Sequence, residues 1–222
     1  DIVLGTNDKF DLIKYLNETT VEMSTKVIRS DIDEVNSFKP SYSMDERTRS
    51  YLKVQDGCDY TCSFCTIPLA RGKSRSGTIS DTIKAAKDIA ESGNKEIVLT
   101  GVNIGDFGKG NDESFIDLIK ELDSLNEINR IRISSIEPNL LTDEIIEFCN
   151  FSKKFMPHFH IPLQSGSDKI LKAMRRRYDK KVYQNRIKKI KDINQDTCIG
   201  VDVIVGFPGE SDEDFLETYN FL

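Results

Sequence analysis

Several things are missing from these 222 residues, and each absence narrows the reading. No apolar run approaches the length needed to span a membrane, and no signal peptide opens the chain. Basic charge is in deficit, with 31 Lys and Arg against 37 Asp and Glu, for a formal net charge of −6. That balance excludes indiscriminate nucleic-acid binding, so any RNA contact has to come from a local basic surface. Cysteine is scarce and odd in number, five in all. Three of the five are crowded together, which does not read as a disulfide framework and points to a reducing, cytoplasmic setting. An initiator Met is also absent: Asp1–Gly5 reads as a strand already under way, and the last residues stop on the apolar face of a helix. The expectation is a piece of a longer protein. The length suits one domain with a sizeable core and part of a second.

What is present centres on Asp56-Gly57-Cys58-Asp59-Tyr60-Thr61-Cys62-Ser63-Phe64-Cys65. Thiolates spaced this closely can hold one metal centre from a single turn of backbone, and thiolate is the preferred ligand of zinc and of iron–sulfur clusters. A structural zinc site wants four protein ligands, and the next cysteine, Cys149, is far along the chain. A four-iron cluster held by Cys58, Cys62 and Cys65 keeps one iron without a protein ligand, where a substrate can bind. Phe64 is an aromatic cover over one cluster edge. The alternative is a zinc knuckle completed by a distant Cys or His.

Along the chain, a short strand leads to a cap at Asn7 and a helix with Phe10, Ile13 and Leu16 at helical spacing. Residues 17–47 are polar and β-branched and read as a linker. From Tyr51 strands and helices alternate: strands over Tyr51–Gln55, Glu96–Thr100, Arg130–Ser135, Pro157–Leu163 and Ile199–Val205. The intervening helices start near Ser80, Phe115, Thr142, Ser167 and Asp179, and a last one is capped at Ser211 with Phe215, Leu216, Tyr219 and Leu222 as its apolar face. This order predicts an α/β fold with a parallel sheet, right-handed crossovers and a partial barrel with outer helices.

The strands alternate instead of running continuously apolar, as parallel strands packed on both faces would. With Leu52, Val54, Ile131, Ile133, Phe159, Ile161, Val201 and Val203 under the helices, Lys53, Gln55, Arg132, Ser134, His158, His160, Gln164 and Asp202 face the other way. So many polar groups are costly inside a sheet unless they meet water or a ligand, which predicts a cavity; a mutually satisfied polar network is the alternative. The loops after the carboxyl ends of such strands are where ligands bind. Here they carry the cysteines, then Thr100-Gly101-Val102-Asn103, Gln164-Ser165-Gly166-Ser167 and Gly206-Phe207-Pro208-Gly209-Glu210. Residues 169–191 hold eleven Lys and Arg against one acid, Asp179. That stretch reads either as an RNA-phosphate surface or as a solvated helix face, since Ile187, Ile190 and Ile193 also mark an ordinary amphipathic helix. His158 and His160 read as cavity-lining hydrogen-bonding groups, and Cys149 and Cys198 as buried thiols.

The spacing Cys58-x-x-x-Cys62-x-Phe64-Cys65 resembles the signature of the radical S-adenosylmethionine (radical SAM) enzymes. Gln55-Asp56-Gly57, Ile67-Pro68-Leu69-Ala70-Arg71-Gly72, Leu99-Thr100-Gly101-Val102-Asn103, Ser134-Ser135-Ile136-Glu137-Pro138, His160–Ser167 and Met174-Arg175-Arg176-Arg177-Tyr178 are similar to the methylthiotransferases. Among these the branch modifying threonylcarbamoyladenosine next to the tRNA anticodon is the most similar. The resemblance implies a transferase that adds a methylthio group at carbon 2 of that nucleoside. It implies S-adenosylmethionine chelating the open iron and cleaved to a 5′-deoxyadenosyl radical, with two such molecules and a second cluster used by the full-length protein. It implies Phe64, Thr100, Gly101, Ser135, Gln164, Ser165, Arg175, Gly206 and Pro208 as cofactor contacts, with Arg175 or Arg176 on the carboxylate. Partners implied are tRNA and an electron donor such as a flavodoxin or ferredoxin, with no membrane. By the same resemblance, residues 1–35 are the tail of an amino-terminal domain, 36–47 a linker and 48–222 the radical SAM core. The chain departs from the family in lacking the second cluster's cysteines and the carboxy-terminal RNA-binding module. Sister enzymes acting on isopentenyladenosine in tRNA or on a ribosomal-protein aspartate are rivals, and a non-catalytic iron–sulfur electron carrier is a rival of another class.

Overall fold

A computed structural model describes residues 1–18, 24–43 and 48–222. Strand β1 (Ile2–Leu4) leads into a 3₁₀ turn over Asp8–Asp11 and helix α1 (Leu12–Glu18). Strand β2 (Lys26–Ile28) then pairs parallel with β1. Asn7 stands at the head of the turn without a side-chain capping bond, and Phe10, Ile13 and Leu16 are exposed, so the expected amphipathic helix has no core beneath it among the described residues. The segment read as a linker carries ordered strands: besides β2, β3 (Ser41–Tyr42) pairs antiparallel with β4 (Arg49–Lys53). Within that segment, residues 19–23 and 44–47 lie outside the described residues.

The α/β part then follows. After β4 come β5 (Gln55–Asp56), α2 (Ile67–Arg71), β6 (Arg75–Ser76), α3 (Ile79–Glu91), β7 (Glu96–Thr100) and α4 (Phe115–Ser124). Next are β8 (Arg130–Ile133), α5 (Asp143–Phe151), β9 (His158–His160), α6 (Asp168–Ala173), α7 (Lys180–Ile193), β10 (Cys198–Gly200) and α8 (Asp212–Phe221). Strands β4, β7 and β8 are parallel neighbours, as are β9 and β10. Backbone bonds join the two groups: Ile131 N–H donates to Lys154 O at 2.8 Å, Met156 N–H to Ile131 O at 2.9 Å and Ile136 N–H to His160 O at 3.0 Å. The result is one curved parallel sheet in the order β4-β7-β8-β9-β10, with helices outside, a partial barrel.

Local chemistry explains the element boundaries. Thr78, Ser114, Thr142, Asp179 and Ser211 each accept a backbone N–H from the first turn of the following helix. Such caps satisfy donors that the helix itself leaves orphaned. The core lies between the sheet and the helices and holds Leu52, Val54, Ile131, Ile133, Phe159 and Ile161, the residues that alternation assigned there. Their alternates Lys53, Arg132, Ser134, His158, His160 and Gln164 are half-buried on the opposite face, and Gln55 is fully buried.

Four expectations are corrected. Val201 is exposed instead of lying under a helix, and Cys198 is exposed instead of buried. Among the described residues strand β10 pairs on one side only, with β9, so residues along it keep an open flank; the ladder resumes at Val203, which bridges Gln164. On α8 the apolar residues Phe215, Leu216, Tyr219 and Leu222 face solvent, while Asp214 and Thr218 are buried. The reason is polar docking: Thr218 Oγ1 accepts from Gly166 N–H at 2.9 Å and shares a bond with the Ser165 hydroxyl, and Asp214 accepts from the Ser167 hydroxyl at 2.8 Å. Ser167 therefore spends its hydroxyl on α8 and does not cap α6.

Phe159, among the largest fully buried side chains, sits on β9 between the sheet and the helices. Phe159→Ala is expected to lose roughly 3–5 kcal/mol of stability through lost transfer energy and a residual cavity. A urea unfolding midpoint within error of the parent would show that the core is elsewhere.

Candidate functional site

The cysteine stretch leaves the sheet through a two-stranded clamp. Gln55 pairs with Ser76 and Asp56 with Arg75, so residues 57–74 form a loop closed at its base by β5 and β6. Gly57 begins the loop at φ 70, packed so tightly that a Cβ there would stand 2.0 Å from Lys73 O. Cys58 N–H then donates to Gly72 O at 3.1 Å.

Gln55 holds this base to the neighbouring loop. Its side-chain Oε1 accepts from Val102 N–H at 2.9 Å and Asn103 N–H at 2.7 Å. Its Nε2 donates to Gly57 O at 2.7 Å, Ser74 Oγ at 2.9 Å and Asp56 O at 3.0 Å. Gly101 permits the approach, since a Cβ there would meet Gln55 Oε1 at 3.0 Å. Asp56 is buried beside Lys53, Arg71 and Arg75. Burial works against its charge, but the Gly57 N–H and these three cations outweigh it and hold the carboxyl below its ordinary value.

Within the loop all three thiols are free; Cys62 is buried, and Cys58 and Cys65 are half-buried. Burial pushes the Cys58 thiol up to about 11; the Tyr60 N–H on its sulfur opposes this, while Asp106, Cys62 and Glu137 add to it. The sulfurs share one loop but do not converge on a point: among the described residues no three His, Cys, Asp or Glu side chains are gathered as a metal site. As a donor set they fit an iron–sulfur cluster, being three free thiols on one short loop beside a guanidinium donor.

The loops after the next strands close around this one. From the β7 loop, Lys109 donates to Asp59 at 2.5 Å; from the β8 loop, Asn139 donates to the Tyr60 hydroxyl at 2.6 Å. From the segment after α6, Ser63 N–H donates to Met174 O at 3.1 Å, and the Arg177 guanidinium lies 4.0 Å over the Tyr60 ring. Arg176 reaches the Cys62 sulfur at 3.2 Å and pairs with Glu137. Asp59, Tyr60, Lys109, Asn139, Glu137 and Arg176 thus frame the site. Of these the sequence singled out only Arg176, and Asp59, Tyr60 and Glu137 only as letters of a motif. No periodicity marks such side chains, since their partners lie dozens of residues away.

The other candidates are placed as follows. Thr100 and Gly101 line a cleft of about 420 Å³ together with Lys53, Gln55 and Arg71. Phe64 is exposed and Ser135 half-buried on the loop after β8. Gln164 sits at φ 65, its backbone tied to Asp202 and Ile204, and Ser165 is fully buried against Thr218. Arg175 is exposed. Gly206 and Pro208 belong to an exposed turn closed by a Glu210 N–H bond to Phe207 O. His160 Nε2 lies 3.3 Å from the Asp202 carboxylate, while His158 Nδ1 is buried without a hydrogen-bond partner among the described residues. Burial, with Arg132 and His160 nearby, pushes the His158 pKa down. In the basic segment Lys169, Arg176, Lys180, Arg186 and Lys189 pair with Asp214, Glu137, Glu217, Asp143 and Glu147. Lys172, Arg175, Lys181 and Lys188 are exposed, as is Arg177 over the Tyr60 ring.

Comparison with known proteins supplies the family and the fold. Residues 52–222 match the family model described as the Radical SAM superfamily. A threonylcarbamoyladenosine tRNA methylthiotransferase, MtaB, of Bacillus subtilis (strain 168) is 42% identical over all of this chain and 50% of its own length. A tRNA-2-methylthio-N(6)-dimethylallyladenosine synthase of Clostridium tetani is 36% identical over 100% of this chain and 49% of its own. The chain spans about half the length of the curated relatives it matches. Among solved structures, the apo form of OxsB, a cobalamin-dependent S-adenosylmethionine radical enzyme, superposes with a TM-score of 0.66 at 17% identity. That superposition covers 96% of this chain and 34% of OxsB, and it establishes the fold alone. No helix among the described residues is long and apolar enough to cross a membrane.

Two tests follow from the base of the loop. Gln55→Leu strands the Val102 and Asn103 amides and is expected to lose on the order of 3 kcal/mol in urea unfolding; a neutral result would mean the staple is dispensable. Asp56 has a folded pKa below its ordinary value of 3.8, so its stabilisation is complete above that value and is lost as pH falls through the lowered one. Asp56→Asn should flatten the acid limb of the stability–pH curve, and an unchanged limb would contradict the assignment.

Proposed function

The chain belongs to the radical SAM superfamily, and on that premise we propose that it supplies the radical-generating core of a tRNA methylthiotransferase acting on threonylcarbamoyladenosine. The cysteine loop carries the reading: three free thiols within eight residues, framed by the loops that follow β7 and β8 and by the segment after α6. Cys58, Cys62 and Cys65 would hold a four-iron cluster, which when bound supplies the electron that cleaves S-adenosylmethionine. Gln55 and Gly57 fix the origin of the loop, and the Cys62 sulfur faces a guanidinium.

The remaining roles follow from position on the rim. Thr100 and Gly101 border the methionine part of the ligand, where the absent side chain of Gly101 lets backbone come close. Phe64 lies on the cysteine loop and Ser135 on the adjacent β8 loop. Exposed Arg175 is available to a carboxylate, while Arg176 is already committed to Glu137. Gln164 borders the ribose by its backbone, Ser165 holds that loop against α8, and the Gly206–Pro208 turn borders the adenine. The half-buried polar face of the sheet, with Lys53, Arg132, His158 and His160, suits a polar ligand. Residues 1–35 we assign to the tail of an amino-terminal domain, 36–47 to a linker and 48–222 to the radical core. Sulfur insertion, a second cluster and its second S-adenosylmethionine are properties we assign to the full-length enzyme, along with a flavodoxin- or ferredoxin-like donor and a cytoplasmic setting. The choice of threonylcarbamoyl over dimethylallyl substrate leans on the higher identity to the first set of relatives, 42% against 36%.

Anaerobic reconstitution with iron and sulfide, then reduction in the presence of S-adenosylmethionine, tests the core of this reading. Iron–sulfur absorbance and 5′-deoxyadenosine are expected, and replacing any one of Cys58, Cys62 or Cys65 by Ala should abolish both. Stoichiometric zinc without iron would return the site to a zinc knuckle, and a stable cluster without cleavage to an electron carrier. Full-length enzyme offered tRNA bearing either modified adenosine separates the sister activities. For the RNA surface, the triple change Lys172→Ala, Arg175→Ala, Lys181→Ala should weaken tRNA binding and lower the log–log salt slope by roughly 0.9 per lost phosphate contact. An unchanged slope would make this face merely solvated.

A further inference from the structure

We propose that Arg176 is a positioning residue for Cys62, held by Glu137 so that its guanidinium donates to the Cys62 sulfur and stabilises negative charge there. The inference rests on Cys62 being a cluster ligand, as read above, and it assigns Arg176 to the protein side of the site instead of to a substrate carboxylate.

The fork of this guanidinium is fully committed. One terminal nitrogen lies 3.2 Å from Cys62 Sγ, the other pairs with the Glu137 carboxylate, and Nε donates to the Tyr178 hydroxyl at 3.2 Å. Only 4% of the side chain is exposed, so little of it remains for a diffusing ligand. Its partners are anchored in turn. The Tyr178 hydroxyl lies 2.9 Å from both Pro162 O and Leu163 O, at the end of the β9 segment. Glu137 belongs to the loop after β8, where Leu140 N–H and Leu141 N–H both donate to its carbonyl. Arg176 therefore couples three loops to one sulfur.

The backbone delivers it. Helix α6 ends with Arg175 at φ 59, with Arg175 N–H bonded to Lys172 O and Arg176 N–H to Leu171 O. This is the paired closure of a left-handed helix end, a position where glycine is usual. It turns Arg175 outward and Arg176 inward, and Ser63 grips the same helix end through Met174 O and Ala173 O. A planar, always-charged fork suits this triple contact, which the single ammonium of lysine cannot reproduce. A hydrogen bond to a ligating thiolate favours the more negative, reduced state of a cluster, so removing it lowers the reduction potential.

The test is a mediated redox titration, followed by EPR, of anaerobically reconstituted wild type, Arg176→Gln and Arg176→Lys. Iron and acid-labile sulfide are measured on each sample. In Arg176→Gln the reduction equilibrium should shift about tenfold toward the oxidised cluster, ~59 mV for one electron. Arg176→Lys, which keeps the charge and loses the fork, should fall between. A loaded Arg176→Gln protein with the wild-type midpoint would overturn the proposal and leave Arg176 a packing strut. If Arg176→Gln fails to load, the lysine variant decides: an intermediate midpoint supports the proposal and a wild-type midpoint overturns it. Wild-type protein that takes up no iron and sulfide would instead sink the cluster reading, and the proposal with it, a result visible before any variant is made.

Discussion

One buried side-chain amide organises the site. Gln55 is wholly removed from solvent, and its two ends bind different loops: Oε1 takes the amides of Val102 and Asn103, and Nε2 serves the start of the cysteine loop. An amide suits this task because it presents acceptors and donors on one rigid plane without a charge to desolvate. The contacts around it are correspondingly tight. Gly101 and Gly57 lack the side chains that would push these backbones apart, and the β5–β6 pairing closes the loop behind them. Cys58 and Cys65 can then be half-exposed on a short loop that still begins from a fixed point.

Charge is managed by pairing at close range. The protein is acidic overall, yet the rim is built from cations matched to single acids: Lys109 to Asp59, Arg176 to Glu137, and Lys53, Arg71 and Arg75 around Asp56. The three cations around one carboxylate leave a local positive surplus beside the cleft that Thr100 and Gly101 line. Farther out, five of the basic residues of 169–191 are tied to acids on α5, α8 and the β8 loop. Nearly half of the apparent basic stripe is therefore taken up in an ion-pair seam, and exposed Lys172, Arg175, Lys181 and Lys188 are among the cations left for an external anion.

What the sequence made legible were the features governed by local rules. Period-two alternation separated Leu52, Val54, Ile131, Ile133, Phe159 and Ile161 from the polar face, and Thr142, Asp179 and Ser211 marked their helix starts. The crowding of Cys58, Cys62 and Cys65 pointed to the site without help from the fold. Features set by distant partners stayed hidden. Apolar Phe215, Leu216 and Tyr219 suggested one buried face of α8, but the helix docks through Asp214 and Thr218, because the Gln164–Ser167 turn offers hydroxyls and an amide at that place. Cys198 read as a small hydrophobe before a core strand, but the open flank of β10 exposes it. Ser167 had the composition of a cap and gave its hydroxyl to Asp214 instead.

The backbone itself shows where the fold concentrates its strain. Among the described residues, the non-glycine positions with positive φ are Gln164 and Arg175, and both lie between β9 and α7. Left-handed conformations at such residues cost on the order of 1–3 kcal/mol and persist only where the surroundings over-determine them. Here the surroundings do. Gln164 is fixed by ladder bonds to Asp202 and Ile204, and Arg175 by the closing bonds of α6. Each turn redirects the chain immediately before a residue with a fixed job: Ser165 meets α8, and Arg176 meets Cys62. Glycine at either position would relieve the strain, but it would also widen the conformations open to the chain before folding. The two strained turns therefore stand on either side of α6, which is short enough for both to act on its ends. Together they set how that helix presents Ala173, Met174 and Arg176 to the cysteine loop.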